Sequence, residues 1–363
     1  MNTEQKLVLE LCRIEGYNKE NVELALNKRL DYAYVLGQLH MHRMAAAAYY
    51  VLQKTELLGK VNREFRSSLK AVYQYNQYKV ASYKKALDEL VYLLQNVDFP
   101  YTILKGGFLA YLYPPGVRTS NDIDLLVLRK DLPRIIELFR NHGFVQGFIR
   151  NERIVEAKRQ EIVNAQLNRG EIIPFVKEVR WQGLEFLEVD INISLDEKSS
   201  EDTSVIAQML ERRSGFATDR GERLYTLDRE DFLIHLCTHL YKEAAVYQWV
   251  EMGRDLSIYK FLDIWLYYRK FIKQQEGEQA LADRIQACGK ELECYYAFYY
   301  TGEIFDKELF LPLLENIGNR QEYIDSLDRV YDPVCKRYYR YKMEFLQRLF
   351  DSRRERDLEG ENE

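Results

Sequence analysis

The sequence predicts an α+β fold in which a small block of strands lies between two helical regions. Three observations carry this. Apolar residues recur at helical spacing from residue 3 to about 99, the period switches to two within 100–200, and helical spacing resumes from about 202. The predicted division is an N-terminal helical region (1–99), an α/β core (100–200) and a C-terminal helical region (201–363). With 47% of its 363 residues apolar, the chain can bury one large core or two moderate ones.

The elements follow in order. Leu7, Leu11 and Ile14 mark an early helix, and Leu69, Tyr73, Val80, Tyr83, Leu87, Leu90 and Leu94 a later one. Pro100 ends the helical pattern, and residues 101–104 form a short β-prone run that stops at Gly106 and Gly107. A second run, 123–128, follows the turn at Pro114, Pro115 and Gly116. A helix then starts near Leu132 (Ile135, Ile136, Leu138, Phe139) and ends at His142-Gly143. Next come a strand near 144–148, a polar helical segment, and strands 172–181 and 184–193 joined by Gln182-Gly183 in hairpin fashion. Everything after that reads as helix, including 231–247 and tyrosine-rich stretches near Tyr295 and Tyr338, and the charged tail 353–363 reads as frayed.

The chemistry concentrates in Leu104-Lys105-Gly106-Gly107 and in Asn121-Asp122-Ile123-Asp124-Leu125-Leu126-Val127. Alternate side chains of a strand share a face, so Asp122 and Asp124 project together, about 7 Å apart, while Ile123 and Leu125 point into the core. Two such carboxylates can hold hard cations. The glycine pair ends a strand and opens a helix near Phe108, where main-chain N–H groups and the positive helix end favour a phosphate. An Asp-x-Asp in a strand also occurs as a solvated edge, and the motif alone does not separate the two readings.

The stretch LKGGFLAYLYPPGVRTSNDIDLLV resembles the Gly-Gly/Ser, then Asp-x-Asp, signature of the DNA polymerase β-like nucleotidyltransferase superfamily. More closely, it is similar to a bacterial family of uncharacterised nucleotidyltransferases, with an LKG start and an arginine, here Arg118, just before DIDLLV. The resemblance implies a polymerase β-like core, a small mixed sheet with helices, flanked by helical regions. It implies a third carboxylate on a later adjacent strand. Leu187-Glu188-Val189-Asp190-Ile191 supplies one, with Asp190 as the better match and Glu188 on the same face. It also points to His239 and to Asp263 on late helices. Fourteen residues separate Gly107 from Asp122, more than the usual spacing, and the extra length falls in the Pro-Pro-Gly turn. Asn192 stands where related sequences carry His, which bears on the acceptor.

What the resemblance implies is metal-dependent transfer of a nucleoside monophosphate from a nucleoside triphosphate, with ATP the expected donor, to a hydroxyl on a small molecule, peptide or protein, releasing pyrophosphate. Asp122, Asp124 and Asp190 are the expected catalytic and Mg²⁺ (or Mn²⁺) ligands. Lys105, Gly106, Gly107, Arg118 and Ser120 are the expected nucleotide-binding set, Arg118 because a guanidinium suits phosphate oxygens. Two alternatives stay open: γ-phosphoryl transfer on the same fold, and a non-catalytic nucleotide- or partner-binding protein.

His235 and His239 lie four apart in HLCTH, which has the spacing of a zinc helix but lacks its glutamate base, so no zinc site is expected. His239 and Lys242 are candidates for lining a cleft, with ordinary helix packing as the competing role. Asp263 could equally serve a surface salt bridge. The tyrosine pairs at 295–296, 299–300 and 338–339 could stack an acceptor or simply pack helices. A net charge of -5 provides no broad basic field, which disfavours long nucleic acid as a partner. Five scattered cysteines without a CxxC pair suggest neither a disulfide framework nor a zinc knuckle. With no apolar run of signal or membrane-spanning length, the expectation is a cytoplasmic protein without a membrane partner.

Overall fold

The computed structural model describes residues 1–196, 203–318 and 321–361. The chain divides into two compact units: Met1–Tyr73 with Leu233–Glu363, and Gln74–Phe232. The sequence division follows periodicity instead of compactness, and its boundary at 200–201 lies outside the described residues.

The first unit opens with α1 (Thr3–Cys12), α2 (Lys19–Leu26), α3 (Tyr32–Met41), α4 (Ala45–Lys54) and the start of α5 (Arg63–Leu94). Their starts are written in the sequence. Asn2 accepts the Gln5 N–H at 2.8 Å and Gln5 returns the bond at 3.0 Å, while Asn18 and Asp31 cap α2 and α3. Leu7, Leu11 and Leu39 are fully buried.

His42, also fully buried, accepts the Ile258 N–H on Nδ1 at 3.4 Å. Burial, with the Arg354 charge, pushes its pKa down to about 3. A depressed histidine contributes stability above its unfolded value near 6.5 that is lost as pH falls toward 3. Thermal unfolding of the wild type should therefore weaken by about 1.4 kcal/mol per pH unit below ~6 through this residue, and His42→Gln should flatten that part of the profile. Parallel profiles for the two proteins would show that His42 titrates freely.

The second unit is built on an eight-stranded mixed sheet. Its elements in chain order are β1 (Tyr101–Ile103), α6 (Gly106–Leu112), β2 (Asp122–Val127), α7 (Leu132–Asn141), β3 (Val145–Arg150), β4 (Arg153–Glu156), α8 (Arg159–Asn168), β5 (Phe175–Trp181), β6 (Leu184–Asn192), α9 (Ser204–Glu211), β7 (Ser214–Ala217) and β8 (Arg223–Thr226). The strand order is β4-β3-β5-β6-β2-β1-β8-β7. One face of the sheet is covered by α5 through Tyr83, Leu87, Leu90 and Leu94, and Phe139 of α7 meets Phe144 and Phe175 in the same core. Burying side chains of this size contributes about 2 kcal/mol each.

The sheet is larger than the small one expected. β4, and β7 with β8 in a stretch read as helical, were not anticipated. All three have only four residues, too few for a period-two signal, and they gain their place by pairing, as where Ile103 of β1 aligns with Thr226 of β8. The predicted β5–β6 hairpin is present, with Gly183 at φ +78° in its turn.

The first unit resumes with α10 (Arg229–Ala244), of which the part from Leu233 belongs here, α11 (Tyr247–Glu251), α12 (Ile258–Tyr267), α13 (Glu278–Cys288), α14 (Glu291–Ile304), α15 (Lys307–Ile317), α16 (Gln321–Ser326), β9 (Arg329–Asp332), β10 (Arg337–Tyr341), α17 (Phe345–Leu349) and β11 (Leu358–Gly360). The helical reading fails at Tyr338 and Tyr339, which lie on β10 within a three-stranded antiparallel sheet. The tail is not frayed over its described part. Glu361 binds Arg329 at 2.6 Å and Arg340 at 2.8 Å, and buried Arg354 forks onto Asp255 at 2.6 and 2.7 Å. Its charges looked solvated in the sequence because their partners are distant in the chain. Among the described residues no helix is long and apolar enough to cross a membrane.

Candidate active site

β2 is the floor of the site, and its neighbours explain its sequence. β1 lies antiparallel on one side and β6 parallel on the other. From Ile123 to Val127 every residue is buried, with Ile123, Leu125 and Val127 in the core as alternation predicts and Asp124, at 6% exposure, meeting Lys105 instead. β6 does alternate, with Leu187, Val189 and Ile191 buried and Glu188, Asp190 and Asn192 half-buried.

The register then sets the chemistry. Asp122 aligns with Glu188, and Asp124 aligns with Asp190. Four carboxylates therefore stand as two rows on adjacent strands, as the sequence led one to expect for the aspartates. Glu171, which pairs by an isolated bridge with Asn192, adds a fifth negative group near Asp190 and was missed. It precedes its strand in a loop, where no periodicity marks it.

Repulsion is visible in proton affinity. Burial, then Asp124, Asp122, Glu171 and Glu188, raise Asp190 well above the ordinary aspartate range, although the residue keeps some exposed surface. Burial and Asp122 raise Glu188 in the same direction.

Counter-charge comes from Lys105, whose Nζ lies 3.1 Å from Asp124 Oδ1, and Asn192 Nδ2 donates to the same oxygen at 3.5 Å. Lys105 starts α6 with φ +29° and ψ -106°, a backbone conformation that costs a non-glycine residue on the order of 1–3 kcal/mol. The strain sits where the strand turns into the helix beside Asp124.

The two glycines have separate reasons. A Cβ on Gly107 would fall 2.0 Å from Ile103 Cγ2, and one on Gly106 would fall 2.6 Å from Ser120 Oγ. Both let α6 sit tight against its neighbours, and the Gly107 N–H donates to the Leu104 carbonyl at 3.1 Å. Ser120 Oγ donates to Asp122 Oδ1 at 2.9 Å, so this predicted nucleotide contact touches the first aspartate directly. The Arg118 guanidinium donates to the Thr119 carbonyl, and its charge reaches the Tyr83 hydroxyl.

Within this unit, then, Lys105, Gly106, Ser120, Asp122, Asp124 and Asp190 come together. His239 and Lys242 lie on the α10 segment of the other unit, where His239 Nε2 sits 3.5 Å from Glu243 Oε2 and its ring stacks on His235 at 6.4 Å. Asp263 is buried on α12, which removes the surface salt bridge as its role, and Tyr295, Tyr296 and Tyr300 are buried in helix packing.

The donor set fits a hard divalent cation. Carboxylate oxygens on adjacent strands are the donor type that Mg²⁺ or Mn²⁺ takes. Among the described residues no group of three or more His, Cys, Asp or Glu side chains is arranged to hold a metal ion.

The model of one protein family, described as uncharacterised nucleotidyltransferase, matches residues 28–306. The chain belongs to that family. It is accordingly a nucleotidyltransferase, a transferase enzyme, and the match spans β1 to β8 together with much of the helical unit. No curated protein matches the chain, and no solved structure does. The nucleotidyltransferase assignment agrees with the Gly-Gly and Asp-x-Asp pattern, and the geometry above is where its chemistry is to be sought.

Proposed function

We propose that this nucleotidyltransferase has a polymerase β-like core and moves a nucleoside monophosphate from a nucleoside triphosphate, ATP in the first instance, to a hydroxyl of a small molecule, peptide or protein, releasing pyrophosphate. The observation that carries the reading is the parallel register that sets Asp124 beside Asp190. Asp122, Asp124 and Asp190 would hold Mg²⁺ or Mn²⁺. Bound there, the ion would supply charge neutralisation at the α-phosphate and its leaving group.

The chain's own residues do the rest. Lys105, already at the carboxylates, offers an ammonium to the triphosphate, and Arg118 offers a planar fork of donors. Asp190 would take the acceptor's hydroxyl proton, a role that its register beside Asp124 supports. The net charge of -5 gives no broad field to hold long nucleic acid, so the acceptor is local.

The test is which phosphorus moves. When the enzyme is incubated with Mg²⁺, a cell extract as source of acceptor, and ATP labelled at either the α- or the γ-phosphate, α-label should appear on the acceptor or on the protein itself, and pyrophosphate should accumulate. Covalent γ-label with release of nucleoside diphosphate would decide for a phosphotransferase.

A further inference from the structure

Behind β2 lies a hydroxyl that the reaction as outlined does not use. Tyr83 is on α5, 2% exposed, and its hydroxyl donates to the main-chain carbonyl of Asp122 at 2.9 Å. Its oxygen also borders the Ser120 hydroxyl, whose single proton goes to Asp122 Oδ1 at 2.9 Å. The same aspartate is thus gripped twice, once by its main chain and once by its carboxylate.

The surrounding sequence makes room for this. A Cβ on Gly106 would lie 2.6 Å from Ser120 Oγ and 3.1 Å from the Tyr83 hydroxyl. The first glycine of the pair therefore clears the space in which the two hydroxyls meet. A tyrosine needed only to fill the core would be served by phenylalanine, since burying a phenol adds a polar group that must be satisfied.

We propose that Tyr83 is a positioning residue of the nucleotidyl-transfer site, which with Ser120 fixes the main chain and the carboxylate of Asp122 toward a bound divalent cation. This rests on the reading of Asp122 and Asp124 as metal ligands. Residues that orient a ligand from behind typically control affinity by 10–100-fold. Tyr83 acts through Asp122 and touches neither nucleotide nor acceptor.

The experiment measures Mn²⁺ binding to the full chain, in the presence of an ATP analogue that cannot be cleaved at the α-phosphate, together with thermal unfolding. Tyr83→Phe keeps the ring and removes only the hydroxyl. Its Kd for Mn²⁺ should rise about tenfold or more, with a fall in Tm of only a few degrees. Leu90→Ala, on the same helix and 2% exposed, controls for a loosened core. It should lower Tm more, yet leave the Mn²⁺ affinity within about twofold. Should that variant fail to fold, Leu90→Val replaces it.

An unchanged Kd in Tyr83→Phe overturns the proposal, as does an equal loss of affinity in the Leu90 variant. If the wild type does not bind Mn²⁺, or Asp122→Ala with Asp124→Ala binds it equally well, the metal-site reading itself falls and the proposal with it. Silence confined to Tyr83→Phe removes the positioning role alone.

Discussion

Asp122→Ala combined with Asp124→Ala is expected to abolish metal-dependent binding of nucleoside triphosphate while the fold persists. Removing both takes away the β2 carboxylates that would bridge a cation to the triphosphate, leaving only Asp190, Glu188 and the loop residue Glu171. The fold should survive because the losses and gains oppose one another. Lys105 loses its partner on Asp124, but Asp190 and Glu188 are relieved of the neighbours that raise their proton affinity. Titration calorimetry with Mg²⁺-ATP, alongside circular dichroism, checks both halves. Unchanged binding in the folded double variant would remove these residues from the site.

Asp190→Asn should separate activity from stability. Asparagine keeps the shape, but it cannot accept the acceptor's proton and is a weaker ligand, so transfer of α-label should fall on the order of 10²-fold or more. Binding of Mg²⁺-nucleotide should change little, since Asp122 and Asp124 remain. The stability effect has the opposite sign. A carboxyl whose folded pKa lies above its unfolded value weakens the folded state as pH rises through that interval, so at neutral pH the neutral asparagine should raise Tm. An ordinary strand residue would move stability by less than about 0.5 kcal/mol and leave turnover alone. Wild-type turnover in Asp190→Asn would shift the role to Glu188, which faces Asp122 across the register.

Much of the candidate site is legible in the sequence. The Asp-x-Asp strand, the glycine pair and the later acidic strand are local patterns, and each carries its own period or turn signal. What escaped was set by pairing across the chain. Glu171 reaches Asp190 from a loop, and Tyr83 looked like one more apolar position on α5, since helical spacing says which face is buried and nothing about what a hydroxyl meets there. Asp124 illustrates the same limit. Alternation predicted a face shared with Asp122, but not that Asp124 is buried there, with the lysine beside it to compensate its charge. The four-residue strands β7 and β8 carried too little pattern to be seen, and the tail's charges concealed partners such as Asp255.

The strand order has a consequence for how the centre comes into being. β2 is followed in the chain by β3, β4 and β5, yet its neighbour on the side away from β1 is β6. During synthesis the Asp122–Asp124 pair emerges long before its counterpart, and closing that gap requires an ordered loop of intervening chain, which is slow because its entropy must be lost before the contact repays it. The acidic rows meet only once residues through Asn192 are free to pair. A nascent or truncated chain ending before β6 therefore carries the Asp-x-Asp motif without the carboxylates of Glu188 and Asp190 that align with it.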